Sequence, residues 1–170
     1  IRTEAPFTFD KTRLWGKNLL PMDNYRLSFN KLKETYPQLK EISLARFADI
    51  PVYVVIEGEN KRYVDASTEQ VKILHIPQKT IEEGFSKMYG EDTPVKVSIL
   101  NEYDNYYVNL RSTYTLPVYK VEVGNNDEEL YYISPEDGYI KYLNKNKKAD
   151  KWLFSAIHYL NLPWLISRPW

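Results

Sequence analysis

Residues 50–57 read IPVYVVIE and residues 116–123 read LPVYKVEV, so the chain contains nearly the same segment twice. A glycine follows each segment, Gly58 in the first case and Gly124 in the second. Proline, two valines, tyrosine and this glycine occupy the same places, which makes five matches in nine aligned positions. Both segments are rich in the β-branched and aromatic residues that strands favour. They predict a duplicated strand, and the neighbouring residues decide how far the duplication extends.

The two strands are predicted to lie in different surroundings. Apolar residues alternate with Lys120 and Glu122 in the second segment, which is typical of a strand with one solvent-exposed face. Residues 52–56 are apolar throughout, as in a strand that is covered on both faces. Polar turns follow both segments and reverse the chain into a hairpin. One more extended segment closes each copy, VKIL at 71–74 and IKYL at 140–143.

A helix is predicted before each copy. Ser28 is a candidate N-cap of the first helix, and Pro37 ends it. In the second helix Thr80 and Glu83 form a capping box, which satisfies free N–H groups of the first turn. Gly90 stands where a helix-ending glycine belongs. Both copies therefore have the same order of elements.

The repeating unit is one helix and three strands, because a strand with alternating apolar residues also follows each helix, at 40–47 and 94–100. We predict an α+β fold of two tandem repeats, in which each helix packs on a small antiparallel sheet. Two such units side by side bury a larger fraction of their surface than one unit alone. The predicted segments are an N-terminal extension (1–27), a first repeat (28–78), a second repeat (79–143), and a basic linker with an apolar juxtamembrane segment (144–170).

The second unit contains an insertion at residues 101–115, where the first unit has only a short ADI segment. Alternating residues from Tyr106 to Leu110 predict an extra or lengthened strand pair. Asp104, Tyr106 and Tyr107 are candidate ligand- or partner-binding residues, because aromatic faces beside a carboxylate recognise ligands and peptides. The alternative is a tight turn that begins at Asp104, with the tyrosines packed across strands.

Composition excludes several functional classes. Lysine plus arginine equals aspartate plus glutamate at 23 each, so no net charge favours nucleic acid as a partner. The absence of cysteine excludes disulfides and cysteine-based metal sites. His75 and His158 are too far apart in sequence for metal-ligand spacing, so no metal site is predicted and His75 is assigned a structural or surface role. No catalytic motif is present, and we predict no catalytic residue.

Several segments in a fixed order carry a family resemblance. They are DNYY at 104–107, LPVY at 116–119, SPEDG at 134–138, and the tail residues Trp152, Leu153, His158 and Leu160. In this order they resemble the PepSY-associated transmembrane proteins of bacteria, and the resemblance extends from residue 28 to the end of the chain. The second repeat and the tail match well. In the first repeat Glu69 stands where the family's turn has glycine, so that turn departs from the family pattern.

The resemblance implies a membrane helix before the two-repeat domain and another after the tail, which would make this chain a piece of a longer protein. It implies an extracytoplasmic binding or scaffold domain of a bacterial inner-membrane protein, facing the periplasm. Family members are linked to iron and siderophore uptake, and some are thought to reduce ferric siderophores with haem bound in their membrane helices. Haem would then lie outside this chain, which needs no cofactor of its own. The implied partners are the membrane, a siderophore or another protein.

Two other functions stay open at this point. Soluble PepSY domains elsewhere are associated with protease propeptides and inhibition, so a peptidase-regulating interaction domain is the alternative. A structural spacer is the third possibility. Membrane helices with histidines in the flanking sequence would favour the iron-related function, whereas a protease domain on the same chain would favour the second.

The C-terminal tail is predicted to lie near a membrane. The basic run at 144–151 is either a solvated linker or a contact to lipid headgroups. Trp152, Trp164 and Trp170 are membrane-proximal candidates, because tryptophan collects at membrane–water boundaries. We expect a C-terminal helix that leads to a membrane segment, and the alternative is a helix that completes the core. His158 either approaches a haem or metal at the membrane surface or is an ordinary histidine of an interfacial helix.

Overall fold

Among its described residues the fold contains two antiparallel sheets and three α-helices, which confirms the predicted α+β class. The computed structural model describes residues 13–108 and 114–158, the last five of them by their backbone alone. In chain order the elements are α1 (Phe29–Thr35), β1 (Leu39–Phe47), β2 (Ile50–Glu57), β3 (Asn60–Asp65), β4 (Lys72–Ile73), α2 (Gln78–Tyr89), β5 (Val95–Leu100), β6 (Val118–Val123), β7 (Leu130–Ile133), β8 (Ile140–Leu143) and α3 (Lys145–His158).

A helix precedes each four-stranded sheet. The first sheet has the order β1-β2-β3-β4 and the second β5-β6-β7-β8, and all neighbouring strands are antiparallel. The duplicated segments form the second strand of each sheet, β2 and β6. Each sheet has one strand more than predicted, because the short segments β4 and β8 also pair with their neighbours. The common origin of the two units stays a prediction from the sequence.

Tyr53 and Tyr119 occupy matching places in the two sheets. Tyr53 pairs with residues of β1 and β3, and Tyr119 pairs with residues of β5 and β7. Each tyrosine is buried in the cluster to which the preceding helix contributes, Leu32 from α1 and Ile81 and Phe85 from α2. The α1 cluster consists of Tyr25, Leu27, Leu32, Tyr53, Val55, Val64 and Ala66.

The opposite faces of the two sheets are covered in different ways. Phe47 and Val52 of the first sheet join the central cluster, together with Leu14, Leu74, Ile76, Ile81, Phe85, Tyr119, Val121, Val123, Tyr131, Ile133, Ile140 and Tyr142. Phe47 and Val52 are therefore buried against the second unit, whereas Val54 and Ile56 on the same face are only partly buried. The predicted covering of both faces along 52–56 is thus confirmed for only part of the run. The loop after β5 covers the opposite face of the second sheet, so the prediction that the face carrying Lys120 is solvent-exposed is wrong there, whereas Glu122 is exposed as predicted. There the outer cluster consists of Tyr107, Val118, Leu130, Tyr132 and Leu143.

Hydrogen bonds tie the second unit to the residues that precede it. The indole Nε1 of Trp15 donates to the carbonyl of Gly138 at 2.9 Å, and the hydroxyl of Tyr119 donates to the carbonyl of Ile76 at 2.9 Å. The N–H of Ile76 donates to the carbonyl of Pro135 at 2.8 Å. Trp15 belongs to the predicted N-terminal extension, and the described part of that extension packs into the body of the protein.

The helix ends agree with the sequence in two places and differ in a third. The Ser28 hydroxyl caps α1 by accepting a hydrogen bond from the first turn at 3.4 Å. Gly90 ends α2 with a φ of +78°, a conformation that glycine adopts without strain. The predicted capping box of Thr80 and Glu83 is wrong, because α2 already begins at Gln78 and both residues lie inside the helix.

The insertion of the second unit is a loop where its residues are described. Residues 101–108 form turns and bends and no strand, so the predicted strand pair is wrong over this part. Leu110, the end of the predicted alternation, lies in the segment 109–113, outside the described residues. The hydrogen bonds of Asp104, described below, explain the turn.

The tail begins as a helix. α3 starts at Lys145, so residues 145–151 of the basic run form its first half. None of the described helices is both long enough and apolar enough to cross a membrane. Trp164 and Trp170 lie outside the described residues, as does the predicted approach to a membrane segment.

Candidate functional site

Asp104 organises the loop that follows β5. Its Oδ1 accepts hydrogen bonds from the backbone N–H groups of Tyr106 and Tyr107 at 2.9 and 2.7 Å. The hydroxyl of Tyr132 lies 2.9 and 2.8 Å from the two carboxylate oxygens, and the Nζ of Lys120 lies 3.1 Å from Oδ2. Aspartate side chains often close tight turns through such backbone contacts. The interpretation of Asp104 as the start of a tight turn is therefore confirmed.

Hydrogen bonding keeps the carboxyl group of Asp104 ionised. Burial alone would raise its pKa. The N–H groups of Tyr107 and Tyr106, the Tyr132 hydroxyl and Lys120 outweigh this effect and lower the pKa below the ordinary value of 3.8. Asp104 is thus a charged anchor for the loop, with its oxygens occupied by neighbouring donors.

Tyr107 packs beneath the loop. Its side chain is 1% exposed, and its hydroxyl donates to the carbonyl of Thr115 at 3.0 Å. Its ring stacks on Tyr132 with 4.8 Å between centroids, and the Tyr114 ring lies 4.9 Å away. Burial is the main reason that the pKa of Tyr107 is raised to about 12. Asp104 and Tyr107 support the site from below, as packed and hydrogen-bonded residues.

Tyr106 is surrounded by lysine side chains. Its carbonyl accepts a hydrogen bond from the Nζ of Lys141 at 2.7 Å. The ammonium groups of Lys148 and Lys151 lie 6.0 and 5.6 Å from the centroid of its ring, and Lys151 also donates to the carbonyl of Asn105 at 2.8 Å. A cation over an aromatic face is attracted by the ring. The fold thus gathers lysines of β8 and α3 around one tyrosine of the loop.

Trp152 and Leu153 extend this region with exposed apolar surface. Their side chains are 70% and 52% exposed, high values for such large apolar groups. Asn105, Tyr106, Lys151 and Trp152 line an open cavity of about 290 Å³. We call Tyr106, Lys148, Lys151, Trp152 and Leu153 together the lysine–aromatic surface.

Two lysines in this region are partly desolvated and repel each other. Burial, followed by the charge of Lys151, lowers the pKa of Lys141, against the attraction of Asp104. Burial also lowers the pKa of Lys151, again against Asp104. An anion bound beside these ammonium groups would offset both effects. The arrangement therefore suits an anionic group that is attached to an apolar body.

The structure brings some of the predicted candidates together and leaves others apart. Tyr106 and Trp152 meet in one cavity, and Asp104 lies beneath it through its contact with the Tyr106 backbone. His158 is the last described residue of α3, and its side chain is outside the described part. His75 is exposed, which agrees with a surface role. Within residues 13–108 and 114–158 no group of three His, Cys, Asp or Glu side chains is placed to hold a metal ion.

Sequence reasoning missed the row of residues beneath the loop. Lys120, Tyr132 and Lys141 are directly opposite one another on β6, β7 and β8. Lys120 and Tyr132 bind Asp104, whereas Lys141 binds the Tyr106 carbonyl. The signal was present, since lysines inside two predicted strands of one sheet need a polar partner where their face of the sheet is covered. The strand register was needed to see that they share one row.

A second carboxylate centre ties α2 to the second sheet. Glu129 accepts hydrogen bonds from the hydroxyls of Tyr89 and Tyr142 at 2.8 and 2.6 Å and from the Asn125 amide at 2.6 Å. The Tyr131 hydroxyl contacts both Glu129 and the Tyr89 hydroxyl. Burial alone would raise the pKa of Glu129, but these donors lower it below 4.5. Its role is structural, because its hydrogen bonds join α2, the turn after β6, and the strands β7 and β8.

Comparison with known proteins leaves the function to be argued from the site. No protein-family model matches the chain. No curated protein and no solved structure is significantly similar to it. The PepSY resemblance therefore remains an inference from the segments quoted above.

Proposed function

We propose that this chain is a membrane-proximal binding and scaffold domain, as its resemblance to extracytoplasmic regions of bacterial inner-membrane PepSY proteins implies. In this proposal the lysine–aromatic surface faces the lipid and contacts anionic headgroups. One observation carries it: Lys151 lies over the Tyr106 ring and beside Trp152, whose side chain is 70% exposed.

The chemistry of this surface matches a membrane boundary. A lysine near an anionic lipid surface contributes about 1 kcal/mol to binding. Tryptophan and tyrosine place an apolar body and a polar tip at the level of the headgroups. Leu153 adds apolar area next to Trp152, and neither residue is needed to fill the core. Phosphate groups would also relieve the repulsion between Lys141 and Lys151.

The scaffold part of the proposal rests on how firmly α3 is attached. The N–H of Lys145 donates to the Asp127 carbonyl at 2.9 Å, and the Nζ of Lys148 donates to the Glu128 carbonyl at 2.6 Å. The ammonium group of Lys147 lies 4.9 Å from the centroid of the Tyr142 ring. These contacts fix the start of α3 on the second sheet. The two-sheet body would therefore be held in a defined orientation at the lipid.

Vesicle binding tests the proposed function. We expect the chain to co-sediment with vesicles that contain phosphatidylglycerol and to bind pure phosphatidylcholine vesicles much more weakly. The double variant Lys151→Gln/Trp152→Ala should lose affinity by about tenfold or more, since it removes one headgroup contact and one interfacial anchor. Its thermal melt should shift only slightly, because Trp152 is mostly exposed and Lys151 donates one solvent-exposed hydrogen bond, to the Asn105 carbonyl.

β4 supplies a matched control. Lys72 is exposed and Ile73 is 61% exposed, so the pair also combines a lysine with an apolar neighbour. The variant Lys72→Gln/Ile73→Ala should bind the vesicles as the unchanged chain does. Equal binding to both kinds of vesicle, or equal losses in the two double variants, would contradict the proposal.

Regulation of a peptidase is a second candidate function, and the open edge of the second sheet favours it. β5 has one strand neighbour, β6, in the described part of the chain, and Ile99 on β5 is 54% exposed. An extended peptide can add to such an edge through main-chain hydrogen bonds. The test is residual activity of a purified bacterial peptidase mixed with the chain. Inhibition that Ile99→Lys relieves would favour this function over the lipid-facing one.

The link to iron and siderophores is the part of the proposal that rests on resemblance alone. It would involve haem in membrane helices outside this chain. Difference spectra of the longer protein in its membrane, with and without a ferric siderophore, would test it. Unchanged spectra and no siderophore binding would remove this part and leave the lipid-facing proposal intact.

A further inference from the structure

A cleft on a different part of the molecule is lined by charged side chains that the proposed function does not use. It lies between the segment around Leu14, the β1–β2 turn and the outer side of α2, and its volume is about 530 Å³. This size is typical of small-molecule sites. Arg13, Arg46 and Lys87 contribute positive charge to it, and Asp49 and Glu83 contribute negative charge.

The guanidinium group of Arg46 is held in place before any ligand arrives. Its Nε donates to the Asn18 carbonyl at 2.6 Å, and its Nη1 donates to the Ala48 carbonyl at 3.0 Å. Gly16 makes room for it, since a Cβ there would lie 2.3 Å from the central carbon of the guanidinium. A fixed arginine loses little conformational freedom when it binds an anion.

The carboxylates at the cleft are already paired with lysines. Asp49 lies 3.6 Å from the Nζ of Lys87, and Glu83 lies 3.6 Å from the Nζ of Lys79. No carboxylate of the described residues lies within ion-pair distance of Arg13 or Arg46. Two guanidinium groups therefore line the cleft without a counter-ion from the described chain.

Apart from Thr80, the rest of the lining is apolar. Leu14 and Met88 line the cleft from the N-terminal segment and from α2, and the Leu14 side chain packs directly on Gly84 of that helix. A Cβ at Gly84 would come within 2.9 Å of the Leu14 side chain. A ligand for this cleft would therefore combine an oxyanion with a short aliphatic body.

We propose that the cleft binds a carboxylate ligand, with its carboxylate on Arg46 and Arg13 and its aliphatic part against Leu14 and Met88. Guanidinium and carboxylate groups match in shape and form paired, charge-assisted hydrogen bonds. Such a carboxylate is carried by a small organic acid or by the C-terminus of a peptide. The inference does not depend on lipid binding, because the cleft and the lysine–aromatic surface share no residue.

The experiment is a titration of the chain followed by backbone amide NMR. The probes are butyrate, a dipeptide ending in leucine with a free C-terminus, the same dipeptide amidated, and inorganic phosphate. We expect saturable shifts at the amides of Gly16, Ala48 and Gly84 with a millimolar dissociation constant for a free carboxylate. Stronger binding of butyrate than of the dipeptide would identify a small organic acid as the ligand, and the reverse would identify the C-terminus of a peptide. The amidated dipeptide should bind at least about tenfold more weakly than the free one.

Substitutions test whether the two cleft arginines bind the carboxylate. Arg46→Gln should weaken binding by about tenfold or more, because it removes the charge and keeps one donor for the carbonyls. Arg13→Gln, which removes no hydrogen bond among the described residues, should weaken it as well. Arg62→Gln is the control, since Arg62 pairs with Glu57 on the surface. The absence of saturable shifts, equal binding of the amidated peptide or of phosphate, or no effect of either cleft arginine would overturn the proposal.

Discussion

The two sheets have the same strand order but different coverings on the faces away from their helices. The first sheet is covered there by the second unit, through Phe47 and Val52 in the central cluster. The second sheet is covered by a loop, which contributes Tyr107 to the outer cluster and is anchored by Asp104. A unit with a neighbour can bury an apolar face completely. A unit without one needs a covering that is apolar inside and polar outside.

This difference explains where the candidate site lies. Loops on a rigid body carry binding residues because their outer side chains vary without disturbing the core. In the second unit the inner side of the loop holds Tyr107, and its outer side presents Tyr106 to Lys151 and Trp152. In the first unit the corresponding turn, around Ala48 and Asp49, is only long enough to join two strands.

The junction between the units should show the largest effect. Gly138 has a φ of +63°, and a Cβ there would lie 2.6 Å from the Trp15 ring and 3.0 Å from the Phe47 ring. Gly138→Ala should lower the free energy of unfolding by about 3 kcal/mol, from backbone strain and overpacking together. Urea denaturation measures it.

Gly90→Ala is the control for this prediction. Gly90 also has a positive φ, +78°, but nothing lies within 4 Å of the place its Cβ would take. The substitution should cost about 2 kcal/mol, from backbone strain alone, because a φ of +78° with a ψ of 170° is a conformation that essentially only glycine adopts. Equal losses for the two glycines would show that the first unit does not press closely on the second.

The loop anchor should give the next largest effect. Asp104→Ala leaves the hydroxyl of the fully buried Tyr132 and two backbone N–H groups without their acceptor. We expect a loss of about 2 kcal/mol. Hydrogen exchange should quicken at the amides of Tyr106 and Tyr107 and stay unchanged in β2.

Asp49→Ala tests the turn of the first unit in the same way. The Asp49 side chain is 74% exposed and pairs only with the exposed Lys87 in the described structure. Its removal should change the free energy of unfolding by less than about 0.5 kcal/mol. A loss as large as that of Asp104→Ala would break the comparison between an anchored loop and a simple turn.

Lowering the pH should produce the smallest loss of stability, and this loss should come from the second unit. Hydrogen bonds lower the pKa values of Asp104 and Glu129 in the fold below 3.8 and 4.5, in spite of their burial. A carboxyl group with a lowered pKa stabilises the fold above its unfolded pKa and stops doing so as the pH falls through its folded pKa. Stability should therefore hold at pH 7 and decline below about pH 4.5.

Urea denaturation at a series of pH values measures this decline. The double variant Asp104→Asn/Glu129→Gln should be less stable at neutral pH and lose less stability on acidification than the unchanged chain. Parallel pH profiles would mean that other carboxyl groups control acid unfolding.

The alternation and turn patterns predicted the two sheets well because they depend on local chemistry. The alternation of polar and apolar residues predicted β6. Turns that contain glycine and proline predicted the position of its hairpin partner, β7. The capping box at Thr80 failed because α2 begins two residues earlier, at Gln78, with Pro77 at its N-cap and no side-chain cap hydrogen bond. β4 was not predicted as a strand of the sheet, because two residues are too few to show an alternation of apolar and polar side chains.

The candidate site was predicted only in part because most of it depends on long-range geometry. Tyr106 and Trp152 were both candidates from the sequence. Their contact with one cavity depends on α3 starting at Lys145, and the basic composition of these first residues of α3 is equally typical of a linker. The strand alternation predicted in the insertion was overridden by Asp104, whose partners Lys120 and Tyr132 come from other strands. Such partners cannot be found without the strand register.

We propose above all that the loop of the second unit and α3 together face an anionic lipid surface. The most direct measurement is paramagnetic broadening of backbone amide signals by phosphatidylglycerol vesicles that carry a gadolinium chelate on their headgroups. We expect broadening at Asn105, Tyr106 and Lys151 through Leu153, with sharp signals in α1 and β4. Strongest broadening in α1 or β4, or no difference between the two sides of the molecule, would contradict it.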